Sequence, residues 1–326
     1  MKALVTGGAG FIGSNIVDAL IQKKFDVIVV DDLSTGFKRN INPLARLYYT
    51  NICDRELKPV FEKERPDVVF HLAAQTAVTR SIVDSYSDAR INVLGSLNVI
   101  ANCVEFGVKK IIYSSSCALY GTPGYLPVDE KHPVNPLSPY GVSKHTVEHY
   151  LAVNLQLHGL SYLALRYANV YGPRQNPSGE GGVIAIFCGK MLAGEQPTIF
   201  GSGDKSRDYV FVNDIVRANI TAAESTETGI FNIGTGIETY DSTIYELIAS
   251  ECGYLKAPKY SPERKGEIKR IRLDNTQAAI HLGWKPQTGI KEGILQTVMY
   301  YRTIQPEVFQ IKNMQTNLSP GEIFSN

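Results

Sequence analysis

No run in this chain approaches the roughly 18 consecutive apolar residues that a bilayer-spanning helix needs, so the sequence predicts no membrane span. Cysteine is scarce and odd in number, at positions 53, 103, 117, 188 and 252, and no pair has metal-ligand spacing. A disulfide framework and a cysteine-based metal site are therefore not expected; the thiols read as reduced, in a cytoplasmic protein. Neither sign of charge prevails, with Lys plus Arg at 33 and Asp plus Glu at 32. Without a basic surplus there is no electrostatic case for nucleic acid or an anionic membrane surface as partner. The opening MKALVTGGAG has one lysine and is interrupted by glycine too early for the apolar core of a secretion signal, so no leader is expected. What is present, 44% hydrophobic and 20% charged residues over 326 positions, is the make-up of a globular protein long enough for two domains or one large one.

The segment KALVTGGAGFIGSNIVDALI says more. It reads as a short strand over residues 2–6, a glycine turn, and a helix from about Phe11 with apolar positions Ile12, Ile16, Ala19 and Leu20. Gly8, Gly10 and Gly13 fit G-x-G-x-x-G; Gly7, Gly10 and Gly13 fit G-x-x-G-x-x-G. Glycine permits the sharp turn and lets backbone approach a pyrophosphate, and the helix start offers free N–H groups to it. A plain structural turn would use the same residues. The context favours a dinucleotide: FDVIVVDDL is a second buried strand, and Asp31 near its end lies 18 residues after Gly13. A carboxylate there can hydrogen-bond the adenosine ribose hydroxyls and repels a 2′-phosphate, which argues for NAD over NADP.

The pattern repeats. Buried strands are expected over residues 66–74, 109–116 and 161–172, separated by helices over residues 57–64, 89–106 and 140–157. Apolar strands alternating with amphipathic helices predict an α/β fold, a doubly wound parallel Rossmann-type sheet. Ligands of such sheets lie beyond the carboxyl ends of the strands. Four of those ends carry small or polar residues: Asp31, Ala73-Ala74-Gln75, Ser114 to Ser116, and Asn169.

The stretch SPYGVSK places Tyr140 one helical turn before Lys144, on one face. Such a pair could be solvated surface or an acid–base device. Ser116 ends the preceding strand, which brings a hydroxyl to the same rim of the sheet. A phenol is a poor base near neutrality, with a reference pKa of about 10; an ammonium and a cationic nicotinamide nearby would favour its phenolate. His145 and His149, in HTVEH, have the spacing of a zinc pair, but His149 faces roughly away from Tyr140, so both read as surface and no metal is expected.

On these segments, together with HLAAQ, SSSCALYG, LRYANVYGPRQ, GSGDKSRDYVFVND and ERKGEIKRIRLD, the chain resembles the extended short-chain dehydrogenase/reductase superfamily over nearly its whole length. Its closest likeness is to the UDP-glucose 4-epimerases. The resemblance implies NAD as cofactor, a smaller α/β C-terminal substrate domain, a UDP-sugar as substrate, and a homodimer. Domain limits are expected at 1–170, with a return near 208–235, and 171–302; residues 303–326 read as an irregular tail. Related dehydratases and decarboxylases carry a carboxylate where this chain has Cys117 and Ala118, so 4-epimerisation is the expected reaction and Cys117 reads as a packed thiol.

Residue by residue, the resemblance implies that Tyr140 takes the proton of the 4-hydroxyl, Ser116 hydrogen-bonds the same oxygen, and Lys144 holds the nicotinamide ribose. Expected cofactor positions are Gly7, Gly10, Phe11, Ile12, Gly13, Asp31, Leu72, Ala73, Ala74, Gln75, Asn92, Tyr140, Lys144 and Tyr167. Asn51 and Ile52 fall at the adenine edge, where the family usually has Asp-Ile; asparagine can still accept from the adenine amine. Thr76 replaces a lysine of some members. Expected substrate positions are Ser116, Asn169 and Val183, Thr198 to Phe200 at the uracil, Arg207 and Arg264 at the diphosphate, and Tyr209 and Glu267 at the ribose. Ile271 falls at the family's size gate and is intermediate between residues suiting N-acetyl sugars and plain hexoses. UDP-N-acetylhexosamines, UDP-uronates and a catalytically inactive NAD-sensing role stay open at this level.

Overall fold

The structure is a computed structural model; it describes residues 1–177, 182–263 and 268–315, with side chains as far as residue 304. The order is β1 (Lys2–Thr6), α1 (Phe11–Gln22), β2 (Asp26–Asp31), β3 (Arg46–Tyr49), α2 (Leu57–Glu64), β4 (Val68–His71), α3 (Val78–Val83), α4 (Ser85–Ala89), a π-helical turn (Arg90–Gly95), α5 (Ser96–Glu105) and β5 (Lys110–Ser116). It continues through α6 (Pro139–His158), β6 (Ser161–Tyr167), β7 (Asn169–Tyr171), α7 (Val183–Leu192), β8 (Thr198–Phe200), β9 (Ser206–Arg207), β10 (Tyr209–Phe211), α8 (Val212–Glu224) and β11 (Gly229–Ile233). The remaining elements are β12 (Thr239–Tyr240), α9 (Asp241–Cys252), β13 (Lys259–Ser261), α10 (Thr276–His281) and α11 (Ile290–Gln315).

Seven strands form one sheet, ordered β11-β6-β5-β4-β1-β2-β3, with every pairing parallel. Parallel strands are covered on both faces. One layer packs α1 and α8 against Val5, Val29, Phe70 and Leu163; the other packs α2, α5 and α6 against Leu4, Ile28, Val69 and Ile111. The register sets Thr6 beside His71 and Ser116 beside Tyr167, so the carboxyl ends of β1, β4, β5 and β6 meet along one rim. A third core, with Ile184, Phe187, Ile199, Ile244, Ile294 and Tyr301, belongs to α7, α9, α11 and the short strands beside them.

Four details differ from the sequence expectation. The edge strand β3 escaped it because RLYY is short and none of its residues is fully buried. The strand expected over 161–172 is cut at Ala168: β6 pairs with β5 and β11, whereas β7 leaves the sheet and pairs with β10. The strand that rejoins the large sheet within 208–235 is therefore β11, not Tyr209–Phe211, and α8 is the helix that returns with it. Finally, α11 runs on to Gln315, so residues 303–315 are helical. Gln, Glu, Lys and Met favour continuing a helix already nucleated, and the helix runs past Pro306 although a proline inside a helix costs about 3 kcal/mol.

Candidate active site

Ser138 starts α6. Its side chain accepts the Gly141 N–H at 3.2 Å, and Pro139 takes the first helical position, where a missing N–H costs nothing. Tyr140 and Lys144 are thereby turned onto the β5 rim. Ser116 and Tyr140 are joined through their hydroxyls, and Ser116 Oγ also accepts the Ala118 N–H at 3.2 Å. Lys144 is 4% exposed and donates to the Ser114 carbonyl at 2.8 Å. Its Nζ stands 4.9 Å from the Tyr113 ring centre and 5.9 Å from that of Tyr140. The three residues expected to act together are together.

Burial dominates their titration. It pushes Tyr140 up to about 12, opposed by the Ser116 hydrogen bond. It pulls Lys144 down to about 8, opposed first by the Asp88 carboxylate and then by that of Glu148. An ammonium beside a phenol favours phenolate, but here, without a further positive charge, desolvation wins and Tyr140 holds its proton. His71 lies alongside, its ring nitrogens 2.8 Å from Thr6 Oγ1 and Ser96 Oγ; burial and then the Lys144 charge lower it to about 3, so it is neutral.

The glycine turn is as tight as its composition suggests. A Cβ on Gly13 would lie 2.1 Å from the Gly7 carbonyl oxygen, and one on Gly7, whose φ is +71°, 2.8 Å from Ala73 N. Gly10 caps α1 without a side chain, and the first turn holds no acid, so the N–H groups around Phe11 and Ile12 present an uncovered positive end. Asp31 ends β2 beside this turn; its oxygens accept the Ala9 N–H at 2.9 Å and the Leu33 N–H at 2.8 Å, and burial raises it despite them. Leu72 and Ala73 donate their backbone N–H groups to Thr6 Oγ1, each at 3.2 Å, which holds the Ala73–Ala74 segment over Gly7. An anion-accepting helix start, a backbone cradle and a carboxylate at the next strand end together suit a dinucleotide carrying a ribose diol.

Other expected cofactor residues are placed less simply. Asn51 donates to Asp32 Oδ2 at 2.7 Å, and its own Oδ1 accepts the Cys53 N–H at 2.8 Å. Ile52 is buried under Gly95 in the helix-covered layer. Gln75 and Asn92 face each other: the Gln75 N–H donates to Asn92 Oδ1 at 2.8 Å, and Asn92 Nδ2 donates back to the Gln75 carbonyl at 2.9 Å. The Tyr167 hydroxyl is hydrogen-bonded with Asn219 and Ser114.

In the smaller lobe, Asn169 opens β7 and gives its N–H to the Asp208 carbonyl at 2.8 Å. Val183 starts α7, and Thr198 to Phe200 form β8. Arg207 donates to the Ser206 carbonyl at 2.8 Å from β9, and the buried Tyr209 hydroxyl bonds Asp241 at 3.1 Å. Ile271 is buried in the same core as Cys117. Burial pushes the Cys117 thiol up to about 12, as for a packed thiol rather than a nucleophile. Arg264 and Glu267 lie outside the described residues.

The profile of the family described as "NAD dependent epimerase/dehydratase family" matches residues 3–234. The chain belongs to the NAD dependent epimerase/dehydratase family. A putative UDP-glucose 4-epimerase of Methanocaldococcus jannaschii is 47% identical over 92% of this chain and 98% of its own length. The crystal structure of a Thermotoga maritima UDP-glucose 4-epimerase with UDP-glucose superimposes with a TM-score of 0.92 at 46% identity, covering 94% of this chain and all of that one. A Thermus thermophilus UDP-glucose 4-epimerase in complex with NAD gives 0.88 at 40% identity, covering 93% and 99%.

Within this member of the epimerase/dehydratase family, two groups beside the Tyr140 site went unread in the sequence. Glu148, one turn beyond Lys144, accepts two bonds from Arg166 at 2.7 and 2.9 Å and one from Ser115 Oγ at 2.6 Å. A charged residue inside the apolar run LALRY was the available signal, since a buried guanidinium demands a partner. Asp88, buried under Asn92, carried no signal in a segment rich in polar residues.

Proposed function

We propose that this protein interconverts UDP-galactose and UDP-glucose, oxidising the sugar C4 hydroxyl and reducing the ketone from its other face, with NAD held throughout. The observation that carries the reading is the hydrogen-bonded, half-buried Tyr140–Ser116 pair with the buried Lys144 one turn on, in a site that has Cys117 and Ala118 where water elimination would call for a carboxylate. The relatives named UDP-glucose 4-epimerase, one solved with UDP-glucose and another with NAD, supply the substrate and cofactor of the proposal.

Gly7 to Gly13 and the start of α1 would hold the pyrophosphate, Asp31 the adenosine ribose, and Lys144, with two N–H bonds left beyond Ser114, the nicotinamide ribose. Bound there, the nicotinamide supplies reversible hydride acceptance at C4 and, in its oxidised form, the positive charge that the Tyr140 phenol lacks. Tyr140 then takes the 4-hydroxyl proton and returns it. Ser116 donates to the same oxygen as it becomes a carbonyl. Arg207, with Asn169, Val183, Thr198, Phe200 and Tyr209 of the smaller lobe, would anchor the UDP while the 4-keto sugar turns over. In this reading residues 1–170, with α8 and β11 from the return near 208–235, bind cofactor, the rest of 171–302 binds the nucleotide sugar, and the enzyme is an isomerase of galactose metabolism in the cytoplasm.

A homodimer accords with exposed apolar side chains on α6, where Val142, Tyr150, Val153 and Leu157 lie along one stripe next to exposed Val83, Tyr86 and Leu94. The test of function is product analysis after incubation with UDP-galactose and no added NAD. UDP-glucose from wild type, formed at least about 100-fold more slowly by Tyr140→Phe, supports the proposal. Turnover only of UDP-N-acetylgalactosamine or UDP-glucuronate would move the substrate, and no turnover of any of them, NAD supplied, would reject an epimerase.

A further inference from the structure

Asp88 is the buried charge that the proposed mechanism leaves unused. It is 1% exposed. Its Oδ1 accepts Gln75 Nε2 at 2.9 Å and Asn92 Nδ2 at 3.1 Å. Its Oδ2 is buried with no hydrogen-bond partner among the described residues. Such a group is costly unless something compensates it. From Asn92 the bonding continues into the site: Asn92 Nδ2 also reaches Ser143 Oγ at 3.1 Å, and Ser143 Oγ donates to the Tyr140 carbonyl at 3.0 Å. Gln75 ties the same carboxylate to the loop after β4, with its Oε1 accepting the Ala77 N–H at 2.6 Å.

Resting on the Tyr140/Lys144 reading, we propose that Asp88 is a positioning residue of the proton-transfer site: it braces the first turn of α6 through Asn92 and Ser143 and is the carboxylate that balances Lys144. The other groups facing Lys144 do not fill that role. His71, on β4, is neutral, and burial keeps Tyr113, on β5, protonated. Glu148, on α6, is committed to a two-bond ion pair with Arg166 of β6. Asp88 stands first among the charges that act on Lys144 and also opposes ionisation of Tyr140.

Removing the Asp88 charge lets Lys144 lose its proton at lower pH and lets Tyr140 ionise at lower pH. Both limbs of the pH–rate profile for UDP-galactose should therefore move down by about one pH unit in Asp88→Asn. Asp88→Glu should leave the limbs in place, whatever it does to kcat. A purely structural Asp88 predicts the opposite pattern: a lower rate at every pH with both limbs unmoved, and that result would overturn the proposal. Where Asp88→Asn fails to fold, the smaller Asp88→Ser carries the same test. If wild type turns over no UDP-sugar, the functional reading fails on its own. Asp88 is then judged by NMR titration of labelled lysine, with the Lys144 signal assigned by its loss in Lys144→Met. A downward shift of about one unit in Asp88→Asn upholds the role, and an unchanged titration rejects it.

Discussion

At single residues, burial sets titration. In the proposed reaction Tyr140→Phe keeps the ring and removes the hydroxyl that would take the 4-hydroxyl proton, so kcat should fall by about 10²- to 10⁴-fold with UDP-sugar binding retained, as measured by rate and by equilibrium titration. His71 provides a prediction about stability. Its pKa is lowered from the ordinary 6.5 to about 3 by burial and then by Lys144. Between those values the unfolded chain holds a proton that the folded chain does not. The contribution to stability is whole above pH 6.5 and is lost as pH falls towards 3, at about 1.4 kcal/mol per unit. Denaturant midpoints at pH 7 and pH 5 should show wild type losing about 2 kcal/mol more than His71→Gln, which keeps hydrogen-bonding groups for Thr6 and Ser96 but does not titrate. Equal losses would show that His71 is not the group responsible. Tyr140 and Lys144 were legible in the sequence because helical spacing puts them on one face, and Ser116 because it ends the preceding strand at the same rim; the family resemblance supplied their roles. His71 and Asp88 were not, because what matters for them is which neutral or charged neighbours the fold stacks around them.

At the scale of elements, the turn between β1 and α1 and the seat of α6 do most of the positioning. Gly13→Ala would push a methyl to 2.1 Å from the Gly7 carbonyl oxygen. The turn must shift, so the purified variant should carry little bound NAD and lose about 1–3 kcal/mol of stability, read by extracted nicotinamide and by denaturant unfolding. Glu148→Ala strands the Arg166 guanidinium in the core and should cost about 3–5 kcal/mol, while Glu148→Ala with Arg166→Leu should recover part of it. Helix limits were nearly readable: α2 matches the expected residues, and Ser138-Pro139 marks the start of α6 through capping chemistry. The helix expected over 89–106 is interrupted by the π-helical turn at Arg90–Gly95, which the apolar periodicity does not encode. Strand ends were harder. Nothing in SYLALRYANVYG announces that the chain changes partners at Ala168, because that choice is made by Ile233 and Asp208, whose backbone groups accept the Ala168 and Asn169 N–H groups.

At the scale of the whole molecule, two layers around a parallel sheet carry the cofactor rim, and a third core carries the lobe with Arg207 and Tyr209. The class of fold was readable from alternating strands and helices; the rejoining of β11 was not, since short strands pair by three-dimensional proximity rather than by local pattern. The exposed stripe on α6 makes a prediction of its own: sedimentation should give twice the chain mass, and Val153→Glu with Leu157→Glu should give one chain while the fold persists by circular dichroism. In the proposed reaction the C4 hydrogen leaves and returns within one site. This is tested most directly with UDP-galactose deuterated at C4, incubated in ordinary water and followed by mass spectrometry of the UDP-glucose formed. The product should keep its deuterium at C4. UDP-glucose that has exchanged that deuterium for solvent hydrogen would contradict it.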